Sequence, residues 1–276
     1  MTDHSSELSQ HGCRRLLLTG AAGGLGRVLR PRLRPYAQRL RVSDIAELEP
    51  AAAGEEVLRC DLADGAAVER LLHGVDAVVH LGGVSVERPF EEILPANIVG
   101  TYNLYEAARK QGVRRIVYAS SNHVTGFYPQ GQLLDSEVPL RPDGYYGVSK
   151  AFGENLSRFY FDRYGIATVC LRIGSCCPAP QDRRMLATWL GHEDLLQMVL
   201  RALFAPDIGH CIVYGVSANP ERWWSNDKAA RLGFAPVQSS EPFRAEVEAA
   251  SPALAEDDPA RRYQGGAFVK VGPFSS

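Results

Sequence analysis

The chain has 276 residues, with 30 Lys and Arg against 32 Asp and Glu and a formal net charge of −2. This length suffices for one large domain, and no basic run of the kind that follows a phosphate backbone occurs, which disfavours nucleic-acid binding. The longest apolar stretches have the length of strands and fall well short of the roughly 20 residues that span a bilayer.

The N-terminal stretch MTDHSSELSQHG is polar and lacks the apolar segment of a secretory signal, so we expect a disordered tail over residues 1–12. The six cysteines form neither a C-x-x-C pattern nor a disulfide framework. We therefore expect free thiols and a cytoplasmic location. The adjacent Cys176 and Cys177 have no His or Cys nearby to complete a site, which favours packing over a metal or redox role, and no bound metal is expected.

Short apolar runs alternate along the chain with segments of helical period. This alternation predicts an α/β protein with a doubly wound parallel sheet, the Rossmann fold. The predicted strands are 14–19, 39–44, 56–61, 76–83, 114–120, 167–174 and 211–216. The predicted helices are 24–36, 64–73, 91–112, 145–164, 192–205 and 221–232. We assign 13–175 to a cofactor-binding core and 176–276 to a small substrate-binding lobe packed on it.

In the helix 145–164, an apolar stripe recurs at helical spacing and is predicted to face the sheet. Its members are Val148, Phe152, Leu156 and Phe159.

The first strand runs directly into TGAAGGLG, which places Gly20, Gly23 and Gly26 between a strand and a helix. Such glycines allow a tight turn and close approach of backbone N–H groups to a pyrophosphate, and the helix N-terminus adds a favourable dipole. In this context the motif predicts a dinucleotide site, the alternative being a glycine-rich turn without a ligand.

Asp44 ends the second strand, some 18 residues after Gly26. A carboxylate there can accept hydrogen bonds from the adenosine ribose hydroxyls and repels a 2′-phosphate. Because no basic residue follows, the sequence predicts NAD rather than NADP. A solvated Asp at a strand end is the alternative.

The stretch GYYGVSK at the start of the helix 145–164 contains a candidate catalyst. Tyr146 and Lys150 lie four residues apart and hence on one helix face, whereas Tyr145 lies over Ser149. A phenol with a pKa of about 10 is a poor base at neutral pH, and a nearby ammonium group favours its ionised form. Spacing alone leaves an ordinary exposed Tyr/Lys pair equally open. Ser121 favours catalysis, because the strand that it ends borders the same crevice.

TGAAGGLG, the pair Asp61-Leu62, SSNHVTG and YGVSK together resemble the extended short-chain dehydrogenase/reductase superfamily over about residues 14–175. The resemblance implies an NAD-dependent oxidoreductase in which Tyr146 is the acid–base catalyst and Ser121 orients the substrate oxygen. It also implies that Lys150 holds the nicotinamide ribose and that Asn97 completes a proton relay. The full set of expected cofactor-binding residues is Gly20, Gly23, Gly24, Leu25, Gly26, Asp44, Ile45, Asp61, Leu62, Leu81, Gly82, Gly83, Lys150 and Cys176.

A finer resemblance, in HLGGVSVERPFEEIL, RIGSCCPAPQDRRMLATWL and RRYQGGAF, is to bacterial uronate dehydrogenases, and it covers nearly the whole chain. That family oxidises C1 of glucuronic or galacturonic acid with NAD⁺ and yields an aldarolactone. The resemblance selects Arg184 to bind the substrate carboxylate; by chemistry alone Arg183 is a near equivalent, since either guanidinium can bind a carboxylate in a bidentate manner. The other expected substrate-binding residues are Ser85, Ser121, Asn122, His123, Tyr146 and Ser175. Ser85, Asn122, His123 or Ser175 could instead cap a loop.

Two alternative functions remain. A nucleotide-sugar epimerase or dehydratase of the same superfamily would need a second nucleotide pocket, for which the roughly one hundred residues after the sixth strand offer no obvious basic and aromatic set. A non-catalytic NAD-binding regulator would have no need of the Tyr/Lys pair. We expect a homo-oligomer whose C-terminal segment docks on its own sheet or on a neighbouring subunit, a small sugar acid as substrate, and neither nucleic acid nor a membrane as partner.

Overall fold

Seven parallel strands form one sheet in the computed structural model, which describes residues 12–272 and 274. In chain order the strands are β1 (Cys13–Thr19), β2 (Ala37–Asp44), β3 (Glu55–Arg59), β4 (Ala77–His80), β5 (Arg115–Ser121), β6 (Ala167–Ile173) and, after the short pair β7 (Ser175–Cys176) and β8 (Trp189–Leu190), β9 (His210–Gly215). Their order across the sheet is β3-β2-β1-β4-β5-β6-β9. Because the order reverses between β1 and β4, a ligand crevice opens there at the carboxyl ends of the strands.

Helices cover both faces of the sheet. They are α1 (Gly24–Leu33), α2 (Gly65–Leu71), α3 (Phe90–Ile93), α4 (Gly100–Gln111), α5 (Tyr145–Tyr164), α6 (Met185–Thr188), α7 (His192–Phe204), α8 (Asp227–Arg231), α9 (Arg244–Ala250) and α10 (Pro259–Arg262). The doubly wound α/β fold expected from the sequence is confirmed. Within the described residues, no helix is both long and apolar enough to cross a bilayer.

The single helix predicted over 91–112 is divided in three. A π-helical segment, Leu94–Val99, separates α3 from α4, and Pro95 at its start has no N–H to donate to the preceding turn. Such π-helical segments are rare in proteins, and those that occur are often found at functional sites. This one contains the buried Asn97. The last helical segment ends at Gly112, whose φ of 74° is the left-handed conformation that glycine favours.

Several predicted boundaries change in the structure, and the helix predicted over 221–232 is reduced to Asp227–Arg231. The fourth strand ends at His80 instead of residue 83, so Leu81, Gly82 and Gly83 form a turn. The segment 176–276 also supplies β9 to the main sheet, and α7 packs in the same apolar core as β1 and β4. The division into units at residue 175 stays a prediction, and residues 1–11 of the predicted tail lie outside the described residues.

The prediction for the buried face of α5 is wrong. Val148 is 45% and Phe159 50% exposed, and Phe152 and Leu156 are only partly buried. The face that meets the rest of the protein is polar and small instead: Tyr146, Gly147, Ser149, Lys150, Gly153, Glu154, Ser157 and Tyr160. Close packing requires this, since a Cβ at Gly153 would lie 2.2 Å from Tyr118 Oη. An apolar stripe was therefore a poor guide to the buried face of this helix.

A buried ion pair joins α5 to the sheet. Arg172 on β6 donates from Nε and Nη2 to the two carboxylate oxygens of Glu154, both at 2.9 Å. Ser120 Oγ donates to Glu154 Oε1 at 2.7 Å, and Arg172 Nη1 donates to Tyr214 Oη at 3.2 Å. The pair raises the pKa of Arg172 further above its ordinary value, against the effect of burial. These contacts fix α5 against β5, β6 and β9.

We expect Glu154→Gln to lower the free energy of unfolding by about 3–5 kcal/mol, because it leaves the buried Arg172 cation without a compensating charge. Asp162→Asn is the matched control on the same helix. It breaks an exposed pair with Arg158 and should leave the urea unfolding midpoint unchanged. Similar midpoints for the two variants would show that the buried pair is not needed to hold α5.

Candidate active site

The glycine loop after β1 is closely packed. Gly20 has a φ of 70°, and a Cβ there would lie 2.7 Å from Gly82 N; a Cβ at Gly26 would lie 2.1 Å from Gly20 O. Gly24, the first residue of α1, faces open space, with nothing within 4 Å of an added Cβ. Gly23 and Gly24 are exposed. The loop thus leaves the N-terminus of α1 accessible to a pyrophosphate, as the sequence predicted.

Asp44 lies beside this loop at the end of β2. Its Oδ2 accepts from Ala22 N at 2.9 Å and its Oδ1 from Ala46 N at 3.0 Å. Each oxygen keeps a lone pair for a further donor, so the carboxylate can both hold the loop and bind ribose hydroxyls. Ile45 is 58% exposed next to it. A carboxylate at Asp44 and an uncharged Ile45 next to it fit the ribose hydroxyls of NAD.

The remaining predicted cofactor residues lie in four places. Leu81, Gly82 and Gly83 form the turn after β4, and a Cβ at Gly82 would lie 2.8 Å from Leu62 Cδ1. Asp61 is exposed after β3, and its Oδ1 accepts from Ala63 N. Leu25 is partly buried in the first turn of α1. Cys176 lies in β7, where burial raises the pKa of its thiol to about 12. Its contact with the cofactor stays a prediction.

Tyr146 and Ser121 are brought together. Tyr146 is 7% and Ser121 4% exposed. Burial raises the pKa of Tyr146 to about 12, a hydrogen bond with Ser121 opposes that rise, and the charge of Asp143 adds to it. Tyr145, by contrast, is 47% exposed and packs against Phe90.

Lys150 lies on the same face of α5, with its Nζ 5.7 Å from the centroid of the Tyr146 ring. Nζ donates to Ala119 O at 2.8 Å, and burial lowers the pKa of Lys150 to about 8. The sequence suggested that Lys150 would bring down the pKa of Tyr146. In the structure, burial dominates and that pKa is raised instead.

Asn97 does not contact Lys150 through its side chain. Its Nδ2 donates to Ser149 Oγ and to Val84 O, both at 2.9 Å, and its Oδ1 accepts from Val84 N at 2.7 Å. The side chain therefore holds the loop after β4 against α5. Its part in a proton relay stays a prediction.

Arg184 reaches the cleft from the segment just before α6. Its Nε donates to Gln264 O at 2.7 Å and its Nη1 to Ser175 Oγ at 3.1 Å. With the Asn122 amide oriented to satisfy its surroundings, Arg184 Nη2 donates to Asn122 Oδ1 at 2.9 Å. Three of the five guanidinium N–H groups are thus used and two remain. Burial lowers the pKa of Arg184 to about 10 although the charges of Asp182 and Asp143 oppose this, and no carboxylate among the described residues forms a hydrogen bond or ion pair with it.

Arg183 points elsewhere. Its Nη2 donates to Glu248 O at 2.8 Å and its Nε to Ser251 O at 2.7 Å, at the protein surface. The structure therefore distinguishes Arg184, which lies in the cleft, from Arg183, which does not; the chemistry of the side chains alone could not distinguish them.

His123 lies between Tyr146 and the C-terminal segment. Its ring stacks on Phe268 at 3.8 Å between centroids and meets Tyr146 edge-on at 5.8 Å. Its Nδ1 is 2.7 Å from Asp143 Oδ2. With Nδ1 donating to this carboxylate, Nε2 of a neutral imidazole is left as an acceptor.

The C-terminal segment docks on its own chain. Gln264 Nε2 donates to Pro129 O and Gln132 O, and Gln264 Oε1 accepts from Trp224 Nε1 at 2.7 Å. A Cβ at Gly266 would lie 2.5 Å from Arg184 Cδ, so the segment lies directly against the arginine. Ser85, the remaining predicted substrate residue, lies exposed on the loop after β4.

Comparisons with known proteins place this site in a family. The NAD dependent epimerase/dehydratase family matches residues 16–195. Uronate dehydrogenase from Pseudomonas syringae pv. tomato is 60% identical over 98% of this chain and 98% of its own length. The chain belongs to the uronate dehydrogenase family.

Solved structures of the family agree. Glucuronic acid dehydrogenase from Chromohalobacter salexigens is 54% identical, with a TM-score of 0.92 over 94% of this chain and 97% of that chain. A mutant uronate dehydrogenase from Agrobacterium tumefaciens, complexed with NAD, is 50% identical, with a TM-score of 0.93 over 96% of this chain and all of that chain.

Membership of the uronate dehydrogenase family confirms the resemblance drawn from the sequence, the class of NAD-dependent oxidoreductase and NAD as the cofactor. The roles of individual residues stay predictions. Sequence reasoning missed Gln264 and Phe268, because they reach the site from a segment far along the chain, and Asp143, which directly precedes the helix in a loop without a recognisable motif. The motif RRYQGGAF, which contains two of them, was the one signal that could have found them.

Proposed function

We propose that this chain oxidises C1 of glucuronate or galacturonate, in the pyranose form, to the aldarolactone with NAD⁺. The observation that carries the proposal is Arg184, a cation with no carboxylate partner among the described residues and with two free N–H donors. A planar guanidinium with paired donors suits bidentate binding of a carboxylate. Relatives that are 52–60% identical carry the name uronate dehydrogenase.

Substrate binding follows from the charges and hydrogen-bonding groups around the cleft. Arg184 holds the sugar carboxylate, and Asn122 and Ser175 are fixed beside it by their hydrogen bonds to the guanidinium. His123 accepts from a sugar hydroxyl through Nε2, and Ser85 binds another hydroxyl from the loop after β4. With the carboxylate fixed at one end of the ring, C1 lies toward Ser121 and Tyr146.

In the proposed reaction, Tyr146 removes the proton of the C1 hydroxyl while Ser121 Oγ holds that oxygen. When bound, NAD⁺ supplies the acceptor for the C1 hydride at C4 of its nicotinamide. Lys150 places a positive charge near the phenol and lies where it can hold the nicotinamide ribose. Since the sugar ring stays closed, the product is a lactone.

We also propose a homo-oligomer. Val148 and Phe159 on α5 and Tyr102 on α4 are 45–50% exposed, and large apolar side chains exposed on adjacent helices are common at subunit interfaces. Light scattering measures the mass directly, and a monomer mass of 30.2 kDa would refute this. The cytoplasmic location stays a prediction.

A substrate panel tests the function. NADH absorbance is followed with free glucuronate, free galacturonate and UDP-glucose at equal concentration. We expect turnover with the free uronates and none with UDP-glucose. Turnover with UDP-glucose alone would indicate an enzyme of nucleotide sugars, and silence with all three would indicate an NAD-binding regulator.

Arg184→Lys keeps the positive charge and removes the planar pair of donors. We expect KM for glucuronate to rise by about tenfold or more, with KM for NAD⁺ little changed. Arg183→Lys is the matched control and should leave both constants unchanged, because that side chain binds surface carbonyls. An unchanged KM for glucuronate in Arg184→Lys would reject the role of this arginine.

The pH dependence of turnover tests Tyr146 and Lys150 together. Burial raises the pKa of Tyr146 to about 12 and lowers that of Lys150 to about 8, so the pair loses its first proton near pH 8. This first proton comes mainly from Lys150, and a small, constant fraction of the singly deprotonated pair holds phenolate beside ammonium, a form that is absent while both groups are protonated. We therefore expect kcat to rise with pH and to level off near pH 8.

The same pH dependence is measured for the variant Tyr146→Phe. Tyr146→Phe should bind NAD⁺ and show no turnover at any pH, because the remaining groups include no base at the C1 oxygen. Substantial turnover by Tyr146→Phe, or a kcat that falls as pH rises from 6 to about 8, would refute this mechanism.

A further inference from the structure

The helix that carries Tyr146 begins without a capping side chain of its own. Gly144 precedes α5 in an extended conformation, and the first four N–H groups of any helix have no partner within it. One distant side chain meets two of them. Glu87 Oε1 accepts from Tyr145 N and Glu87 Oε2 from Tyr146 N, both at 2.8 Å. Glu87 is 8% exposed.

The backbone around Glu87 is shaped to admit this carboxylate. A Cβ at Gly144 would lie 2.3 Å from Glu87 Oε2. Gly144 has a φ of −176°, which any residue can adopt, so the backbone conformation does not require glycine. The close approach of Glu87 is what excludes a side chain.

The contact closes a ring of hydrogen bonds around the Tyr146 peptide. Tyr146 O accepts from Ser149 Oγ at 2.7 Å, and Ser149 Oγ accepts from Asn97 Nδ2. Asn97 in turn holds both backbone groups of Val84. Glu87 completes the ring three residues further along the same loop. The Tyr146 peptide is therefore held at its N–H and at its carbonyl by side chains, and the loop that carries Ser85 is held with it.

We propose that Glu87 is a positioning residue for the oxidation, which sets Tyr146 and the Ser85 loop at a fixed separation across the substrate. This rests on the proposed function. Glu87 acts through the backbone of Tyr146 and touches neither the substrate nor the cofactor. A catalytic group displaced by about 1 Å can cost on the order of 100-fold in rate, so a contact that fixes it affects kcat more than binding.

The test is Glu87→Gln, which keeps the shape of the side chain but replaces one acceptor with a donor that faces an N–H group. We expect kcat with glucuronate to fall by about 10- to 100-fold, with the Kd for NAD⁺ from fluorescence titration within about twofold of the unmutated enzyme. With glucuronate deuterated at C1, the isotope effect on kcat should increase, because the chemical step becomes slower.

The matched control is Asp64→Ala, which removes a cap at the start of α2, where the carboxylate accepts from Ala67 N at 3.0 Å. It should lower the melting temperature without changing kcat. A second variant, Gly144→Ala, displaces Glu87 without altering it and should reproduce the loss of kcat should Glu87→Gln fail to fold. If kcat in either folded variant stays within about twofold of the unmutated enzyme, Glu87 is only a structural cap. No activity in the unmutated enzyme would instead refute the proposed function.

Discussion

The site depends on how α5 is seated. Its buried face carries Tyr146, Lys150 and Glu154, and each of the three meets a polar partner. Buried polar groups are costly unless they are hydrogen-bonded, so a helix seated on such contacts has few alternative positions. Apolar side chains slide past one another more readily than a bidentate Glu154–Arg172 pair permits. The polar buried face of α5 thus orients Tyr146 as well as stabilising the fold.

Charge is distributed unevenly around the cleft. Asp143 and Glu87 lie near Tyr146. The charge of the Asp143 carboxylate adds to the effect of burial in raising the pKa of the Tyr146 phenol. Arg184 is hydrogen-bonded to carbonyl, hydroxyl and amide groups, and the charges of Asp143 and Asp182 act on it without a direct ion pair among the described residues. A buried cation satisfied only by neutral acceptors favours an anionic ligand. In the proposed function, Arg184 therefore binds the anionic group of the substrate and Tyr146 accepts the proton.

The sequence alone predicted the order of strands and helices and the glycine loop, since these have local signatures: Gly20 to Gly26 follow one strand and Asp44 ends the next. It also predicted that Tyr146 and Ser121 would meet, because parallel strands end at one edge of the sheet. The sequence-based prediction of which face of α5 is buried was wrong. Helical periodicity identifies an apolar stripe but says nothing about a second, polar face that is buried for chemical reasons.

The contacts that the sequence could not reveal are long-range. Gln264 binds backbone groups more than 130 residues earlier, and Glu87 caps a helix 58 residues later. Neither contact leaves a local pattern. Likewise, only the fold showed that Arg183 turns to the surface while its neighbour turns inward.

The central claim concerns the direction in which the substrate lies, and a crystal structure of Tyr146→Phe with NAD⁺ and glucuronate would test it most directly. We expect the carboxylate on the two remaining N–H groups of Arg184 and the C1 oxygen within hydrogen-bond distance of Ser121 Oγ. A sugar bound in the reverse direction, with C1 toward Arg184, would contradict it.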